Sequence, residues 1–214
     1  MPRPGFVLDV DKSTPPILFH HGEGFRLEKL PAGRSRVIYP GEPLEPLDDV
    51  EAEISHALHH PLDMDPLPAL LQPGMKLTIA FDDISLPLPP MKRPDIRQRV
   101  SEQVLGLAAA AGVDDVHLIA ARALHRRMTE AELREAVGDR VYDAFAPTGA
   151  LYNHDAEDPD NLAFLGTTKH GEEVEINKRA AESDLLIYVN INIVSMDGGH
   201  KSTATGLASY RSIK

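Results

Sequence analysis

The segment Asp184-Leu-Leu-Ile-Tyr-Val-Asn-Ile-Asn-Ile-Val194 is the most apolar and β-branched stretch of the chain. A near-continuous apolar run of this length is typical of a strand that is buried on both faces. Strands of this kind belong to parallel sheets, whose two faces are covered by helices. The segment therefore predicts a fully buried strand in a parallel sheet.

A polar, glycine-rich segment follows the predicted strand. Gly198 and Gly199 allow positive φ angles or a close approach of the backbone to a ligand. Behind them Lys201 supplies a cation, and Ser202 and Thr205 supply hydroxyl groups. A strand, a glycine-rich turn and a polar helix start are the components of an anion site at the carboxyl edge of an α/β sheet. The alternative interpretation is a simple tight turn followed by a solvated lysine.

Further strand and helix patterns alternate along the chain before this segment. Strands are predicted near residues 36–39, 75–81 and 115–121. Helical patterns occupy residues 48–60, 94–111 and 130–137. This alternation predicts a Rossmann-like α/β domain over residues 31–214, with a mainly parallel sheet and helices on both faces. Residues 1–30, which are rich in proline, are expected to form an irregular or extended lead-in.

The composition excludes several functional classes. The 214 residues contain no cysteine, which excludes disulfides, thiol catalysis and zinc-thiolate sites. The net charge of −11 argues against a nucleic-acid-binding surface. No stretch reaches about 18 apolar residues, and the first residues lack the apolar core of a signal peptide. These features predict a cytoplasmic protein with neither nucleic-acid nor membrane partners.

Two groups of polar residues have a spacing that metal sites also use. His56 and His60 lie four residues apart in a predicted helix. An acidic loop holds His154, Asp155, Glu157 and Asp158. The helical pair has no carboxylate partner in its motif, and histidines in a last helical turn also suit the helix dipole. We interpret the helical pair as structural. The acidic loop, taken alone, could form a metal cluster, but it also matches a segment of the family named below, and on that resemblance we expect it to be mainly structural and predict no metal ligand in either group.

The segment at the end of the chain has a specific resemblance. Gly198-Gly-His-Lys-Ser202 and Gly206-Leu-Ala-Ser-Tyr-Arg-Ser-Ile213 resemble the cofactor-attachment segment of the nickel-dependent lactate racemase family, in its N-terminal domain. In that family the lysine covalently holds a nickel pincer nucleotide, nickel-pyridinium bisthiocarboxylate mononucleotide. The resemblance implies that Lys201 is the anchor, and that the backbone from Gly198 to Ser202, with Thr205, holds the cofactor phosphate.

Two earlier segments resemble the same family in the same order. Asp83-Ile-Ser-Leu-Pro87 is similar to an Asp-x-Thr-Arg-Pro segment that touches cofactor and substrate, with Asp83 and Ser85 keeping the acid and the hydroxyl. Leu86 stands where the family has an arginine. His125-Arg126 matches a Gly-Thr-His-Arg segment whose histidine is a catalytic base, and Ala123-Leu124 replaces its Gly-Thr. The resemblance therefore implies that His125 is the base.

The resemblance covers roughly residues 30–213 and implies a function. The intact protein would be an isomerase that racemises or epimerises a small 2-hydroxy acid by hydride transfer, and it would depend on cofactor-synthesis enzymes as partners. Ile191 takes the place of the family's second catalytic histidine, which leaves an epimerase, a one-sided hydride-transfer enzyme or a different second base as alternatives. The family's nickel-binding histidine and second domain lie beyond Lys214, so this chain alone is expected to be inactive. The alternative function is a non-catalytic nucleotide-binding or assembly domain.

Overall fold

The computed structural model describes residues 7–39, 45–84, 92–192 and 198–214. The chain divides into two compact units, residues 1–48 and 49–214. In its described residues, the first unit contains the strands β1 (Val7–Asp9), β2 (Ile17–His21), β3 (Gly24–Glu28) and β4 (Arg36–Ile38). β1 pairs with β4 and β2 pairs with β3, and both pairs are antiparallel. The strand predicted near residues 36–39 therefore exists, but it pairs with β1 rather than joining a parallel sheet.

The second unit alternates helices and strands. Its first half contains α1 (Val50–His59), α2 (Leu67–Leu70), β5 (Lys76–Asp82), α3 (Ile96–Ala110), β6 (Asp115–Ala121) and α4 (Glu130–Val137). Its second half contains α5 (Asp139–Phe145), β7 (Leu151–Asn153), β8 (Leu162–Thr167), β9 (Glu173–Asn177), α6 (Lys178–Ala181), β10 (Leu185–Val189), α7 (Gly199–Gly206) and α8 (Tyr210–Ile213). Among the described residues, no helix is long and apolar enough to cross a membrane.

Four strands of the second unit form one parallel sheet in the order β10-β5-β6-β7. One face of this sheet carries the larger core, where Leu77, Phe81 and Leu118 pack against side chains from α3, α4 and α5. The opposite face buries Ala80 and Ile119 against Ala180 of α6 and Leu207 after α7. The predicted α/β class, with a parallel sheet and helices on both faces, is confirmed.

Helix boundaries follow the local sequence signals closely. A capping box starts α4: the Thr129 hydroxyl accepts from the Glu132 backbone N–H, and the Glu132 side chain accepts from the Thr129 backbone N–H. The helix predicted from residue 94 starts two residues later, at Ile96, because the Asp95 carboxylate accepts from the Arg97 backbone N–H and caps it. Pro94 therefore precedes the helix, and Asp95 and Arg97 are brought together at its first turn.

Strand β10 differs from its prediction in one respect. It is parallel, as expected, but it lies at the edge of the four-stranded sheet, and four of its five residues are only half-buried. The prediction of burial on both faces is wrong for this strand. An apolar composition indicates that a segment is at least partly buried, but it does not distinguish a central strand from an edge strand that lies beside an apolar groove. Here that groove is lined by side chains of α1 and α2, including Leu58 and Leu67.

The order of the sheet decides where the candidate site forms. β10, β5 and β6 are adjacent and parallel, so the segments that leave their carboxyl ends meet at one edge of the sheet. These segments carry Asp83, His125 and the start of α7.

Candidate functional site

Asp83 and His125 form a hydrogen-bonded pair at the carboxyl edge of the sheet. Asp83 directly follows β5, and His125 lies in the loop after β6; Oδ2 of Asp83 is 3.0 Å from Nδ1 of His125. The aspartate side chain is 7% exposed and the imidazole is 49% exposed. Because an ionised carboxylate only accepts hydrogen bonds, this contact places the proton on Nδ1. Nε2 is then the ring nitrogen that can accept a proton from a substrate.

The loop that carries His125 has an unusual backbone. Ala123 adopts a φ of +51°, in the left-handed region that favours glycine. Its N–H donates to the carbonyl of Gly206 at 3.0 Å, and the N–H of His125 donates to the carbonyl of Arg122 at 2.8 Å. The residue that replaces a glycine in the sequence resemblance therefore keeps a glycine-like conformation. This conformation links the His125 loop to the last residue of α7.

Arg122 is a component of this loop that the sequence analysis missed. It is 9% exposed, and its Nε donates to the carbonyl of His154 at 2.6 Å. Its Nη1 also donates to the carbonyl of His125, and Asp155 lies 3.6 Å from its Nη2. One buried guanidinium thus joins the loops that follow β6 and β7. An arginine directly after an apolar strand is the only sequence signal that could have indicated it.

Asp82 ties the end of β10 to the end of β5. Its Oδ2 accepts from Nδ2 of Asn190 at 2.7 Å and from the backbone N–H of Ile191 at 2.6 Å. The Tyr188 hydroxyl also bonds Asp82, and burial, followed by the negative charge of Asp82, raises the pKa of Tyr188 far above its usual value. Tyr188 therefore acts as a permanent donor rather than a base. Ile191, which the sequence resemblance places at the family's second histidine, contributes its backbone N–H to this arrangement.

Helix α7 begins with the glycines that the sequence analysis identified. Gly198 has a φ of +92° and precedes the helix. Its N–H donates to the Ser202 hydroxyl at 3.0 Å, and Ser202 is buried. Thr205 directs its hydroxyl to the Lys201 carbonyl at 2.9 Å, on the same helix. The two hydroxyls expected to contact a phosphate therefore make hydrogen bonds within the helix start and the helix itself.

The start of α7 fits an anionic group in two respects. A Cβ built at Gly199 meets nothing within 4 Å, whereas one built at Gly198 would come within 2.9 Å of Oδ1 of Asn192. The backbone at Gly199 is therefore open to a ligand. Lys201 is exposed in the first turn of α7, where backbone N–H groups and a cation together favour a phosphate. Ser85, the remaining predicted contact, and Leu86 lie outside the described residues.

The acidic loop is structural at its histidine. His154 is fully buried, and its Nε2 lies 2.9 Å from the Ala208 carbonyl. Burial lowers the pKa of His154, and the charge of Arg122 contributes in the same direction. The side-chain amide of Asn177 lies 3.4 Å from its other ring nitrogen. A neutral imidazole bonded on both sides holds β7, β9 and the segment after α7 together.

The helical histidine pair also has no third partner. The rings of His56 and His60 lie 4.5 Å apart. Within residues 7–39, 45–84, 92–192 and 198–214, no group of three or more histidine, cysteine, aspartate or glutamate side chains could hold a metal ion.

Comparisons with known proteins identify the family of the chain. A family model described as the lactate racemase N-terminal domain matches residues 21–214. The lactate racemase of Thermoanaerobacterium thermosaccharolyticum is 25% identical over 169 residues, and that of Lactiplantibacillus plantarum is 26% identical over 165 residues. Each alignment covers 75% of this chain but 36% of the relative. The chain thus spans about a third of the length of these curated relatives.

Solved structures share the fold. The lactate racemase apoprotein of Thermoanaerobacterium thermosaccharolyticum matches with a TM-score of 0.63 at 23% identity, covering 92% of this chain and 45% of that one. A structural-genomics protein from Thermotoga maritima matches with a TM-score of 0.55 at 20% identity, covering 78% of this chain and 40% of that one. These likenesses concern the fold, and the family model covers most of the chain. The chain therefore belongs to the lactate racemase N-terminal domain family.

Proposed function

We propose that this chain is the cofactor-holding, N-terminal part of a racemase or epimerase that acts on 2-hydroxy acids. The observation that carries the proposal is the contact between Asp83 and His125, at 3.0 Å, at the sheet edge from which α7 and Lys201 also start. A base with one fixed ring nitrogen, at the same edge of the sheet as an open, glycine-started helix, suits a reaction that needs both proton transfer and a bound nucleotide.

Each residue of the site has a defined task in this proposal. Lys201 anchors the nickel pincer nucleotide, and the first turn of α7 binds its phosphate. When bound, the cofactor supplies a carbon that accepts and returns a hydride. His125 accepts the proton of the substrate hydroxyl at Nε2. Asp83 keeps the Nδ1 proton in place and stabilises the imidazolium that forms, so the ring stays aligned through the transfer.

The reaction class is broader than racemisation of lactate. Ile191 cannot accept a proton, and its N–H is already bound to Asp82 at 2.6 Å. Ile191 therefore takes part in the site through its backbone N–H and not through its side chain. The proposal therefore includes epimerases and one-sided hydride-transfer enzymes together with racemases.

The base is tested in the protein that carries this chain, produced together with cofactor-synthesis enzymes. His125→Ala and His125→Gln should each reduce turnover of 2-hydroxy acids by roughly 10²–10⁴, the usual contribution of a positioned base. The melting temperature should stay the same, because His125 lies in an exposed loop. His170→Ala, in the exposed turn between β8 and β9, is the matched control and should leave turnover unchanged. Wild-type turnover in His125→Ala removes this residue from the mechanism.

The anchor is tested by intact-mass measurement of the same protein. The wild-type chain should carry the added mass of the cofactor, and Lys201→Ala should abolish it. Lys169→Ala, a change to an exposed lysine in the turn between β8 and β9, should retain it. An adduct that survives Lys201→Ala places the anchor elsewhere. An adduct on Lys201 without turnover of any 2-hydroxy acid favours a non-catalytic nucleotide-binding domain.

A further inference from the structure

We propose that Arg97 is a positioning residue for His125, acting through the backbone of Asp83. This inference rests on the proposed function, because it assigns His125 the role of base. Arg97 lies in the first turn of α3 and has no counterpart among the segments that carry the family resemblance.

The guanidinium of Arg97 is buried and its donors are divided between two tasks. The residue is 6% exposed. Nε and Nη2 donate to the two carboxylate oxygens of Asp95, at 2.9 and 2.8 Å. The same carboxylate accepts from the Arg97 backbone at 2.8 Å. The fork-shaped pair fixes the plane of the guanidinium, so the direction of the remaining nitrogen, Nη1, is fixed as well.

Nη1 points at the strand end that carries the site. It donates to the carbonyl of Asp82 at 2.8 Å and to the carbonyl of Asp83 at 3.2 Å. These are the last residue of β5 and the residue after it, where the chain leaves the sheet. A single charged donor on both carbonyls restricts rotation of the two peptide groups that flank the Asp83 Cα. The direction of the Asp83 side chain, and with it the contact to His125, depends on the orientation of these peptide groups.

The burial of the ion pair between Asp95 and Arg97 is better explained by its positioning of the Asp83 backbone than by a contribution to stability. A buried charge pair gives up hydration that its mutual attraction only partly restores, and apolar residues in its place are often as stable or more so. Arg97 is buried at the carboxyl edge of the sheet, directly behind the acid that holds the candidate base. Asp95 and Arg97 together therefore connect the first turn of α3 to the Asp83 backbone.

The opposite end of the same strands supplies a matched control. Arg179, with a side chain 14% exposed, donates to the carbonyls of Leu77 at 3.2 Å and Asp115 at 2.9 Å, and it pairs with the Asp115 carboxylate at 2.8 Å. It thus connects the amino ends of β5 and β6 in the way that Arg97 connects α3 to the carboxyl end of β5. Changing either arginine removes comparable contacts, but only Arg97 lies behind Asp83.

The test follows the tautomer of His125 by ¹⁵N NMR of the imidazole at alkaline pH, in this chain. The wild type should show mainly the Nδ1–H tautomer, because the Asp83 carboxylate accepts that proton. Arg97→Lys keeps the charge but loses the planar fork, and it should shift His125 mainly to the Nε2–H tautomer that a solvent-exposed histidine side chain prefers in water. Arg179→Lys should lower the stability to a similar degree and leave the tautomer unchanged.

Two further variants make every outcome decisive. If Arg97→Lys does not fold, Asp95→Asn combined with Arg97→Met removes both charges while the asparagine keeps the helix cap; it should shift the tautomer in the same way. A folded Arg97 variant that keeps the wild-type tautomer overturns the proposal and leaves Arg97 a purely structural role. Wild-type Nδ1–H in a folded Asp83→Ala variant, which has no side-chain acceptor at this position, overturns it too, since the Asp83 contact would then not set the ring.

The kinetic arm separates this proposal from the proposed function. In the cofactor-loaded protein, Arg97→Lys should lower kcat by on the order of 10- to 100-fold, the effect of a small misplacement of a catalytic group, with less change in KM. Arg179→Lys should keep kcat. A tautomer shift in a protein that turns over no 2-hydroxy acid upholds the positioning role and contradicts the proposed function. A tautomer shift with wild-type kcat contradicts the claim that catalysis depends on the orientation that Arg97 gives to His125.

Discussion

Gly206 is the point at which α7 touches the sheet, and replacing it should reveal how tightly the site is packed. A Cβ at this position would come inside 3.0 Å of the Tyr188 hydroxyl and within 3.1 Å of the Ala121 Cβ. The φ angle of Gly206 is not positive, so alanine is compatible with the backbone. In the folded state, the cost of Gly206→Ala is therefore decided by contacts rather than by backbone strain.

The magnitude follows from two opposing contributions. Alanine in place of glycine stabilises by about 0.4–1 kcal/mol through the unfolded chain, and overpacking a tight site costs about 1–3 kcal/mol. Tyr188 cannot swing away freely, because it is hydrogen-bonded to Asp82. We expect the free energy of unfolding to fall by about 1–2 kcal/mol in Gly206→Ala.

A double-mutant cycle with Tyr188→Phe isolates the contribution of the clash between the new Cβ and the Tyr188 hydroxyl. Without the hydroxyl, the nearest atoms to the new Cβ are the Ala121 Cβ at 3.1 Å and the ring carbon Cζ at 3.3 Å, which need shifts of only a few tenths of an ångström. Gly206→Ala should then be nearly neutral, so the coupling between the two changes should be about 1–2 kcal/mol.

Urea unfolding with a check of constant m-value measures each term of the cycle. Gly106→Ala is the control, because Gly106 is exposed in the middle of α3 and a Cβ there meets nothing within 4 Å. It should stabilise the helix by up to about 1 kcal/mol. If Gly206→Ala stabilises the chain as Gly106→Ala does, or if the cycle shows no coupling, the packing argument is refuted.

Two further predictions concern the loops around the site. Ala123→Gly should stabilise the chain or leave it unchanged, since a φ of +51° costs alanine about 1–2 kcal/mol. The control Ala109→Gly, at an exposed helical position, should destabilise the chain by about 1 kcal/mol. Equal losses of stability in urea unfolding of the two variants would contradict this reasoning. The second prediction is acid sensitivity: burial lowers the pKa of His154 in the folded state, so below the ordinary value near 6.5 the unfolded chain binds the extra proton and stability is lost as pH falls. His154→Gln should reduce the slope of stability against pH by up to about 1.4 kcal/mol per unit, and His20→Gln, at an exposed histidine, should leave the slope unchanged.

Local sequence signals predicted most elements of the second unit, but not how the strands were partnered. The strand at 115–121 and the helix at 130–137 have the predicted limits, because each carries its own boundary signals. Strand β7, three residues long, and helix α5 gave no periodic pattern strong enough to detect. The strand at 36–39 was assigned to the wrong kind of sheet because pairing depends on residues distant in the sequence.

The candidate site was likewise predicted in its local segments but not in the contacts between them. Asp83, His125 and the glycines before α7 were identified because they resemble family segments and follow predicted strands. Arg97 and Arg122 were missed, since a buried arginine in a single sequence looks the same as a solvated one until the carbonyls it meets are known. The direct contact between Asp83 and His125 was also unpredicted, because it joins residues 42 positions apart.

The adjacent carboxylates of Asp82 and Asp83 leave the end of β5 in different directions. Asp82 meets the tail of β10, with Nδ2 of Asn190 at 2.7 Å, and Asp83 meets the loop after β6, with Nδ1 of His125 at 3.0 Å. Side chains alternate along a strand, so their separation comes directly from the pleat. Loss or gain of one residue in β5 would therefore turn both acids to the opposite side of the strand, and at most one of them could then reach a contact that the other makes now. Evolution along this strand can exchange apolar side chains of similar volume, but the number of residues between the core and the site is constrained to its present value.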